Sequence, residues 1–259
     1  MKTFFYLEKV LNRCGFEICR MNTDKSNQDM SRLLSHVSNL GFSPQTVIDV
    51  GVANGTFELY KAFPNAFHFL IEPLAEFESA LRSILKRYRG AYIIAAAGSR
   101  SGQVELNVHQ DHLEGSSLLK EEMGAEADGI PRTIQAIRID DLLRDRRLKG
   151  PFLIKVDVQG AELDVLEGAL EALGETEMVI LEVSMFQFMK DAPQFYDVVS
   201  YMKNRGFVGY DIFEKASRPL DGALGQINMA FVKEHGRFRN NHSFATAEQW
   251  KDITGKWGN

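Results

Sequence analysis

Residues 46–56 read TVIDVGVANGT, and this stretch decides the fold. Its first five residues form a short apolar segment typical of a buried strand, and the next five form a turn that contains Gly51 and Gly55. A helix is predicted to begin at Thr56. A strand, a glycine turn and a helix in this order are typical of an α/β sheet, which binds ligands at the carboxyl ends of its strands.

Outside this stretch, apolar strand patterns alternate with amphipathic helix patterns over most of the chain. Such alternation is typical of a parallel sheet that helices cover on both faces. No helix pattern separates the last two strands, so we expect them to pair antiparallel. The sequence therefore predicts a three-layer α/β/α fold with a seven-stranded, mostly parallel sheet whose last strand is reversed. The strands are predicted at residues 46–50, 66–71, 92–97, 152–157, 177–183, 207–212 and 227–232, and further helices at 74–89, 142–147 and 194–204. Another helix is predicted after the fourth strand, with Leu163, Leu166 and Leu170 on one face and an end at Gly174.

Three segments fall outside this alternation, and the domain itself is expected at residues 44–235. Residues 1–43 predict an N-terminal extension of two helices, the second with an apolar face over residues 30–40. Residues 103–138 contain two alternating, strand-like segments and predict an insertion over the site, either a hairpin-like structure or a long, mobile loop. Residues 236–259 are polar and predict a loosely packed tail.

The small residues of the first turn predict a ligand close to the backbone. Gly51, Ala53 and Gly55 carry little or no side chain, so a ligand can approach the chain there. Glu72 ends the second strand, 23 residues after Asp49. At this position its carboxylate can accept hydrogen bonds from both hydroxyl groups of a ribose. The pattern predicts a nucleoside site, to which we also assign Asn54, Pro73 and Ala97.

Two classes of nucleoside suit such a crevice. A dinucleotide is typically bound by G-x-G-x-x-G, but positions 51, 53 and 56 are Gly, Ala and Thr. Asp49, two residues before the first glycine, favours a cationic ligand over a diphosphate. S-adenosylmethionine carries a sulfonium, an ammonium and a ribose without any phosphate. We therefore expect Asp49 to attract its ammonium through water or the backbone, while Glu72 holds its ribose.

The sequence resembles the FkbM family of S-adenosylmethionine-dependent methyltransferases over about residues 44–235. The most distinctive stretch is IKVDVQGAELDVLEGA at residues 154–169. Residues 47–56, 71–73, 115–119 and 139–143 also resemble motifs of the family, and Val52 and Ala53 are a mild departure. The resemblance implies a Rossmann-like methyltransferase fold.

The resemblance further implies methyl transfer to a hydroxyl group, most often on a sugar, a glycolipid or a natural product. The protein then has to align donor and acceptor and to remove the hydroxyl proton. Asp157, at the end of the fourth strand, is the first candidate base and is also expected beside the methyl end of the donor. Glu182 ends the fifth strand and is a second candidate, and His112, with His109, is a candidate from the insertion. Glu162 is either functional or a favourable charge at a helix N-terminus.

Two other functions remain open on the sequence. One is an NAD-dependent oxidoreductase, and the other is a non-catalytic binding module that keeps the fold. The partner is expected to be a small molecule or a carbohydrate. These motifs encode neither its identity nor its acceptor atom, and they do not encode the oligomeric state of the protein.

Composition and charge limit the remaining classes. The 259 residues are 44% hydrophobic and carry a net charge of −5, so a globular protein is expected and a nucleic-acid partner is not. No segment has the roughly 18 apolar residues of a membrane span. The apolar residues 4–7 are followed by Glu8 and Lys9, so no secretory signal is expected either. Cys14 and Cys19 are too few for a disulfide framework, which fits a cytoplasmic location.

Several carboxylates lie near predicted strand ends, but the sequence does not bring three of them together as a divalent metal would need. Asp140 and Asp141 are expected to cap the helix at 142–147. We therefore predict no required metal.

Overall fold

The computed structural model describes residues 25–256, which form ten strands and eight α-helices. Three short 3-10 helices lie at Ala75–Phe77, Leu113–Gly115 and Arg237–Arg239. The strands are β1 Thr46–Val50, β2 Phe67–Glu72, β3 Gly90–Ile94, β4 Ala96–Ala97, β5 Gly102–Val108, β6 Ile130–Ile137, β7 Phe152–Val156, β8 Thr176–Ser184, β9 Phe207–Ser217 and β10 Leu224–Lys233. The helices are α1 Lys25–Asn39, α2 Phe57–Ala62, α3 Glu78–Leu85, α4 Ile139–Arg146, α5 Glu162–Glu167, α6 Leu170–Gly174, α7 Phe195–Asn204 and α8 Ala247–Lys256.

Seven strands form the main sheet in the order β3-β2-β1-β7-β8-β10-β9. The first five of these are parallel to their neighbours, and β10 pairs antiparallel with both β8 and β9. The predicted α/β/α class, with a mostly parallel seven-stranded sheet and a reversed last strand, is confirmed. β1 and β7 are buried along their whole length because they lie at the centre of the sheet with helices on both sides.

Two apolar cores lie on the two faces of the sheet. One contains alternate residues of β1 and β7, such as Ile48 and Ile154, together with the inner faces of α4, α5, α6 and α7. The other contains the intervening residues, such as Val47 and Leu153, together with α1, α2 and α3. This alternation follows from the period of two along a strand, and it places every second side chain of β1 under α1 and α2.

A second sheet is built by the insertion, in the order β4-β6-β5. β5 and β6 pair antiparallel, as the two alternating segments predict. The predicted strand at 92–97 is wrong in extent, because the chain leaves the main sheet at Ala95 and residues 96–97 pair with β6 instead. This exchange of sheets anchors the insertion beside the carboxyl end of the main sheet.

Three helix predictions need correction. The helix predicted at 142–147 begins at Ile139, so Asp140 and Asp141 lie in its first turn and not before it. The buried Asp140 carboxylate instead accepts hydrogen bonds from the N–H groups of Glu171 and Ala172, at 3.2 and 3.0 Å, and so caps α6. The helix predicted at 74–89 is shorter, and the helix after β7 is divided at Gly168.

The N-terminal helix and the tail pack together. In α1, Met30, Leu33, Leu34 and Val37 are buried as their spacing predicts. Arg237 donates a hydrogen bond of 2.8 Å to the Gly41 carbonyl beyond α1, so the start of the tail is attached rather than loose, while the tip of α8 is exposed. The first predicted helix of the extension, with Cys14 and Cys19, lies outside the described residues. Within residues 25–256, none of the helices combines the length and apolarity that crossing a membrane requires.

Gly168 allows a close crossing that a side chain would prevent. A Cβ atom there would lie 2.0 Å from the carbonyl oxygen of Gly98, which belongs to the backbone and cannot move aside easily. We expect Gly168→Ala to lower the free energy of unfolding by about 1–3 kcal/mol. Gly174→Ala is the matched control, because no atom lies within 4 Å of its added Cβ, and urea titration of both variants makes the comparison. Equal stability of the two variants would contradict the close crossing.

Candidate functional site

A cleft of about 470 Å³ opens at the carboxyl ends of β1, β2, β7 and β8. The glycine turn forms one wall of the cleft, and residues of the insertion form the opposite wall. Of the nucleoside-site residues predicted from the sequence, all but Asp49 line this one cleft. They are Gly51, Ala53, Asn54, Gly55, Glu72, Pro73, Ala97 and Asp157.

The glycine turn is held in a conformation that few residues adopt. Gly51 has φ +73° and Gly55 φ +111°, and Ala53 between them has φ +45° despite its side chain. A Cβ on Gly51 would lie 1.7 Å from the carbonyl oxygen of Asp157, so the turn can only approach β7 with glycine there. A non-glycine residue with positive φ at a site of this kind is strain that the surrounding structure must maintain.

Glu72 maintains this strained turn. Its two carboxylate oxygens accept hydrogen bonds from the N–H groups of Ala53 and Leu74, at 2.8 and 2.9 Å. The residue is only 3% exposed, and burial raises the pKa of its carboxyl above the usual value, although the two N–H donors oppose that shift. A carboxylate offers about four acceptor positions, so roughly two remain for hydroxyl groups of a ligand.

Asp49 lies below the cleft and not on its wall, so its predicted attraction of a ligand's ammonium would act through the backbone of the turn and not by direct contact. The residue is fully buried and accepts a hydrogen bond of 2.5 Å from the Tyr60 hydroxyl. That hydroxyl in turn accepts one of 3.1 Å from the N–H of Thr56. Asp49 and Tyr60 therefore support the end of the glycine turn from underneath, because the side chain of Asp49 points to the face of the sheet that α2 covers.

Lys155 connects the two strands on which the cleft is built. Its Nζ lies 3.6 Å from Asp49 Oδ1, 3.3 Å from Asp157 Oδ2 and 3.4 Å from the carbonyl oxygen of Gly51. Burial lowers the pKa of this ammonium, but the nearby carboxylates of Asp157 and Asp49 raise it more, so the group stays charged. The sequence prediction missed Lys155, although a lysine inside an apolar strand is itself a signal of a buried carboxylate partner.

Asp157 and Glu182 lie together at the far end of the cleft, as the two strand-end positions predict. The Gln159 amide bridges them, donating to Asp157 at 3.1 Å and to Glu182 at 3.0 Å. Glu182 also accepts a hydrogen bond of 3.1 Å from Gln226. Burial, with the charges of Asp157 and Glu162, raises the pKa of Glu182 to about 8. Glu182 therefore titrates close to neutral pH, and it can accept a proton only in its ionised form.

Glu214 and Asn228 complete this end of the cleft, and sequence reasoning missed both. The β9–β10 register shifts here, so that residues 214 and 215 face a single residue of β10, and Glu214 takes φ +50°. Glu214 lines the cleft and accepts a hydrogen bond from the Asn228 amide. Burial raises the pKa of Glu214 to about 7. No pattern in a single sequence locates such a bulge.

The two histidines of the insertion are not on the cleft wall, which corrects the predicted role of His112. The His112 side chain is 75% exposed and lies 3.7 Å from Glu114, while His109 lies 3.6 Å from Glu121. The insertion instead contributes Leu113, Glu114, Ser116 and Leu118 to the cleft. Asn54 donates a hydrogen bond of 3.0 Å to Glu114, which joins the glycine turn to the insertion.

Glu162 is buried and does not line the cleft. Its carboxylate accepts hydrogen bonds from the N–H groups of Val158 and Gly160, at 3.3 and 3.1 Å, in the loop before α5. Burial raises the pKa of Glu162 to about 7. These contacts assign it to holding the loop after β7. Among residues 25–256, no three His, Cys, Asp or Glu side chains are grouped as a metal ion would require.

Comparison with known proteins identifies one family. The model of the methyltransferase FkbM domain matches residues 49–208, which is more than half of the chain. Hexuronic acid methyltransferase AglP of Haloferax volcanii is 28% identical over 168 residues, which make up 64% of this chain and 66% of that protein. The matched segment thus spans just under two thirds of that relative.

Two solved structures show a weaker likeness. The O-methyltransferase from Bacillus cereus in complex with SAH is 12% identical, with a TM-score of 0.46 over 90% of this chain and 91% of that one. Magnesium protoporphyrin IX methyltransferase (ChlM) from Synechocystis PCC 6803 with bound SAM is 10% identical, with a TM-score of 0.44 over 80% and 77%. Because both TM-scores are below 0.5, the fold follows from the strand order of this chain and not from these likenesses.

Removal of the Lys155 ammonium is expected to destabilise the fold strongly, because the fully buried carboxylate of Asp49 would lose its counter-charge. We expect Lys155→Met to lower the free energy of unfolding by about 3–5 kcal/mol. Lys190→Met, at an exposed position, is the control and should change it by less than about 0.5 kcal/mol.

Urea unfolding of both variants measures the difference. Adding Asp49→Asn to Lys155→Met should recover part of the loss, since it removes one of the unpaired charges. A Lys155→Met variant as stable as the control would show that the ammonium does not hold these strands together.

Proposed function

The chain belongs to the FkbM methyltransferase family, and we propose that it transfers the methyl group of S-adenosylmethionine to a hydroxyl oxygen of a sugar or a similar polyhydroxylated small molecule. S-adenosylmethionine is the methyl donor of this family, which confirms the cofactor predicted from the sequence. The observation that carries the proposal is the chemical difference between the two ends of the cleft. A strained glycine turn with Glu72 lies at one end, and a group of proton-accepting carboxyl groups lies at the other.

The first end of the cleft fits the nucleoside part of the donor. Glu72 keeps acceptor positions for the two ribose hydroxyls, and it holds the glycine turn at the same time. The wall beside it is apolar, which suits an adenine ring, and is made of Phe77, Ala95, Ala96, Ala97, Leu106, Leu113 and Leu118. The carboxylate of Asp157 lies on the other side of the turn, where it favours a cationic group.

The charged residues that line the cleft disfavour the binding of a dinucleotide. Lys155 is the only cationic side chain that lines the cleft in residues 25–256, and it is engaged by Asp49 and Asp157. A diphosphate would therefore meet carboxylates such as Asp157 and Glu58 without a free cation to compensate its charge. A sulfonium and an ammonium would instead be attracted, which disfavours an NAD-dependent oxidoreductase.

Bound S-adenosylmethionine supplies an electrophilic methyl group, so the protein has to position the acceptor and take up its proton. Asp157 is paired with Lys155, and we assign it to placing the positively charged donor. Glu182 has no such cation at contact distance in residues 25–256 and is placed to take the hydroxyl proton. Glu214 and Asn228 then position the acceptor through hydrogen bonds.

The acceptor class has further, independent support. The relative from Haloferax volcanii is named as a hexuronic acid methyltransferase, and that protein therefore acts on a sugar. A wall rich in carboxylate and carboxamide oxygens is complementary to the hydroxyl groups of such a ring. The cytoplasmic location expected from the sequence remains a prediction.

The first test measures the donor. We expect isothermal titration to show binding of S-adenosylhomocysteine and none of NAD. Glu72→Gln should weaken binding by about 1–3 kcal/mol, because one buried acceptor for the ribose is lost. Glu105→Gln, on the exposed face of β5, is the matched control and should bind normally. Tighter binding of NAD than of S-adenosylhomocysteine would exclude the proposal.

The second test measures the base. With a pKa of about 8, Glu182 is mostly protonated at neutral pH. Because only the ionised form acts as a base, kcat/KM should rise about tenfold per pH unit up to about pH 8 and stay constant above it. Glu182→Gln should lower kcat by about 10²–10⁴-fold and abolish this rise. Glu248→Gln, at an exposed position of α8, should keep the wild-type profile. A Glu182→Gln variant with the wild-type pH profile would remove Glu182 from this role.

A further inference from the structure

We infer that the part of the acceptor that enters this cleft is an uncharged sugar ring bearing several hydroxyl donors, and not a uronic acid. The inference rests on the proposed function and specifies its substrate. It differs from what the name of the Haloferax volcanii relative says of that protein, because a hexuronic acid carries a carboxylate.

The first argument is the charge of the wall. Among residues 25–256, six carboxyl side chains line the cleft, at Glu58, Glu72, Glu114, Asp157, Glu182 and Glu214, against one cation. That cation, Lys155, is held between Asp49 and Asp157 and is only 5% exposed. Glu182 and Glu214, with pKa values of about 8 and about 7, are only partly ionised near neutral pH. The other carboxylates still outnumber Lys155, so an anion brought by the acceptor would meet like charges without a free cationic side chain in the described part of the cleft.

The second argument is the direction of the hydrogen bonds at the acceptor end. The side-chain amides here already donate to the carboxylates: Gln159 to Asp157 and Glu182, and Asn228 to Glu214. Oxygen atoms of Glu182, Glu214 and Asn228 keep acceptor positions that none of these amides fills. In particular, the side-chain oxygen of Asn228 is buried and has no hydrogen-bond partner among residues 25–256.

A buried acceptor without a partner is costly unless a ligand supplies a donor. The hydroxyl groups of a sugar are such donors, and each can also turn its hydrogen towards the nearest acceptor. A uronic acid has the same ring hydroxyls, but a carboxylate replaces its hydroxymethyl group, so the ring loses one donor and gains a negative charge. The wall thus selects against an anionic ring by both charge and hydrogen bonding.

The test compares acceptors that differ only in this group. The full chain is incubated with S-adenosylmethionine and matched pairs of methyl glycosides, namely glucoside and glucuronide, galactoside and galacturonide, and mannoside and mannuronide. Release of S-adenosylhomocysteine gives kcat/KM for each. For at least one pair we expect the neutral member to exceed its uronide by about tenfold or more.

A charge variant then tests the cause. Glu214→Gln should reduce the preference for the neutral member, because it replaces a carboxyl group that is partly ionised near neutral pH by a neutral side chain of the same size. Glu248→Gln makes the same change on α8, away from the cleft, and should leave the preference unchanged.

Equal or faster transfer to the uronides would overturn the inference, and so would an absence of transfer to every neutral glycoside while S-adenosylhomocysteine still binds. A wild-type chain that fails to bind S-adenosylhomocysteine would instead refute the proposed function, so the two failures are distinguishable by titration.

Discussion

The ammonium of Lys155, buried between two carboxylates, is the constraint on which the rest of the site depends. β1 and β7 are neighbours in the sheet, and their register places Asp49 opposite Lys155. A buried charge is tolerated only when it is paired, so the three groups hold the ends of both strands in one arrangement. The same ammonium contacts the Gly51 carbonyl, which brings the glycine turn against the strand that carries Asp157.

Around this centre, strained backbone recurs at the positions that line the cleft. Ala53, Gln159 and Glu214 all have positive φ although none is glycine. Each is held by contacts from another element: Ala53 by Glu72, the carbonyl of Gln159 by Ser117 in the insertion, and Glu214 by Asn228. The strain is thus maintained by hydrogen bonds between elements, which is the arrangement expected where function needs side chains aimed into one volume.

Sequence reasoning predicted the nucleoside end of the cleft well and the acceptor end only in part. The glycine turn follows β1 and Glu72 ends β2, so the single β1–α2–β2 unit brings them together. Asp157 and Glu182 were predicted because each ends a parallel strand. His112 was misplaced because a loop position says little about the direction of its side chain. The local sequence around Asp49 does not show that its carboxylate is buried, accepts a hydrogen bond from Tyr60 and forms an ion pair with Lys155.

The sequence by itself determined the fold class and the place of the predicted nucleoside site, because these depend on local periodicity and on residues close together along the chain. Only the tertiary structure decided which carboxyl groups face one another and which donors are already taken. Glu214 and Asn228 meet through a bulge between antiparallel strands, far along the chain from the glycine turn. Their protonation and hydrogen bonding depend on burial and on charges from distant strands, which no local pattern encodes.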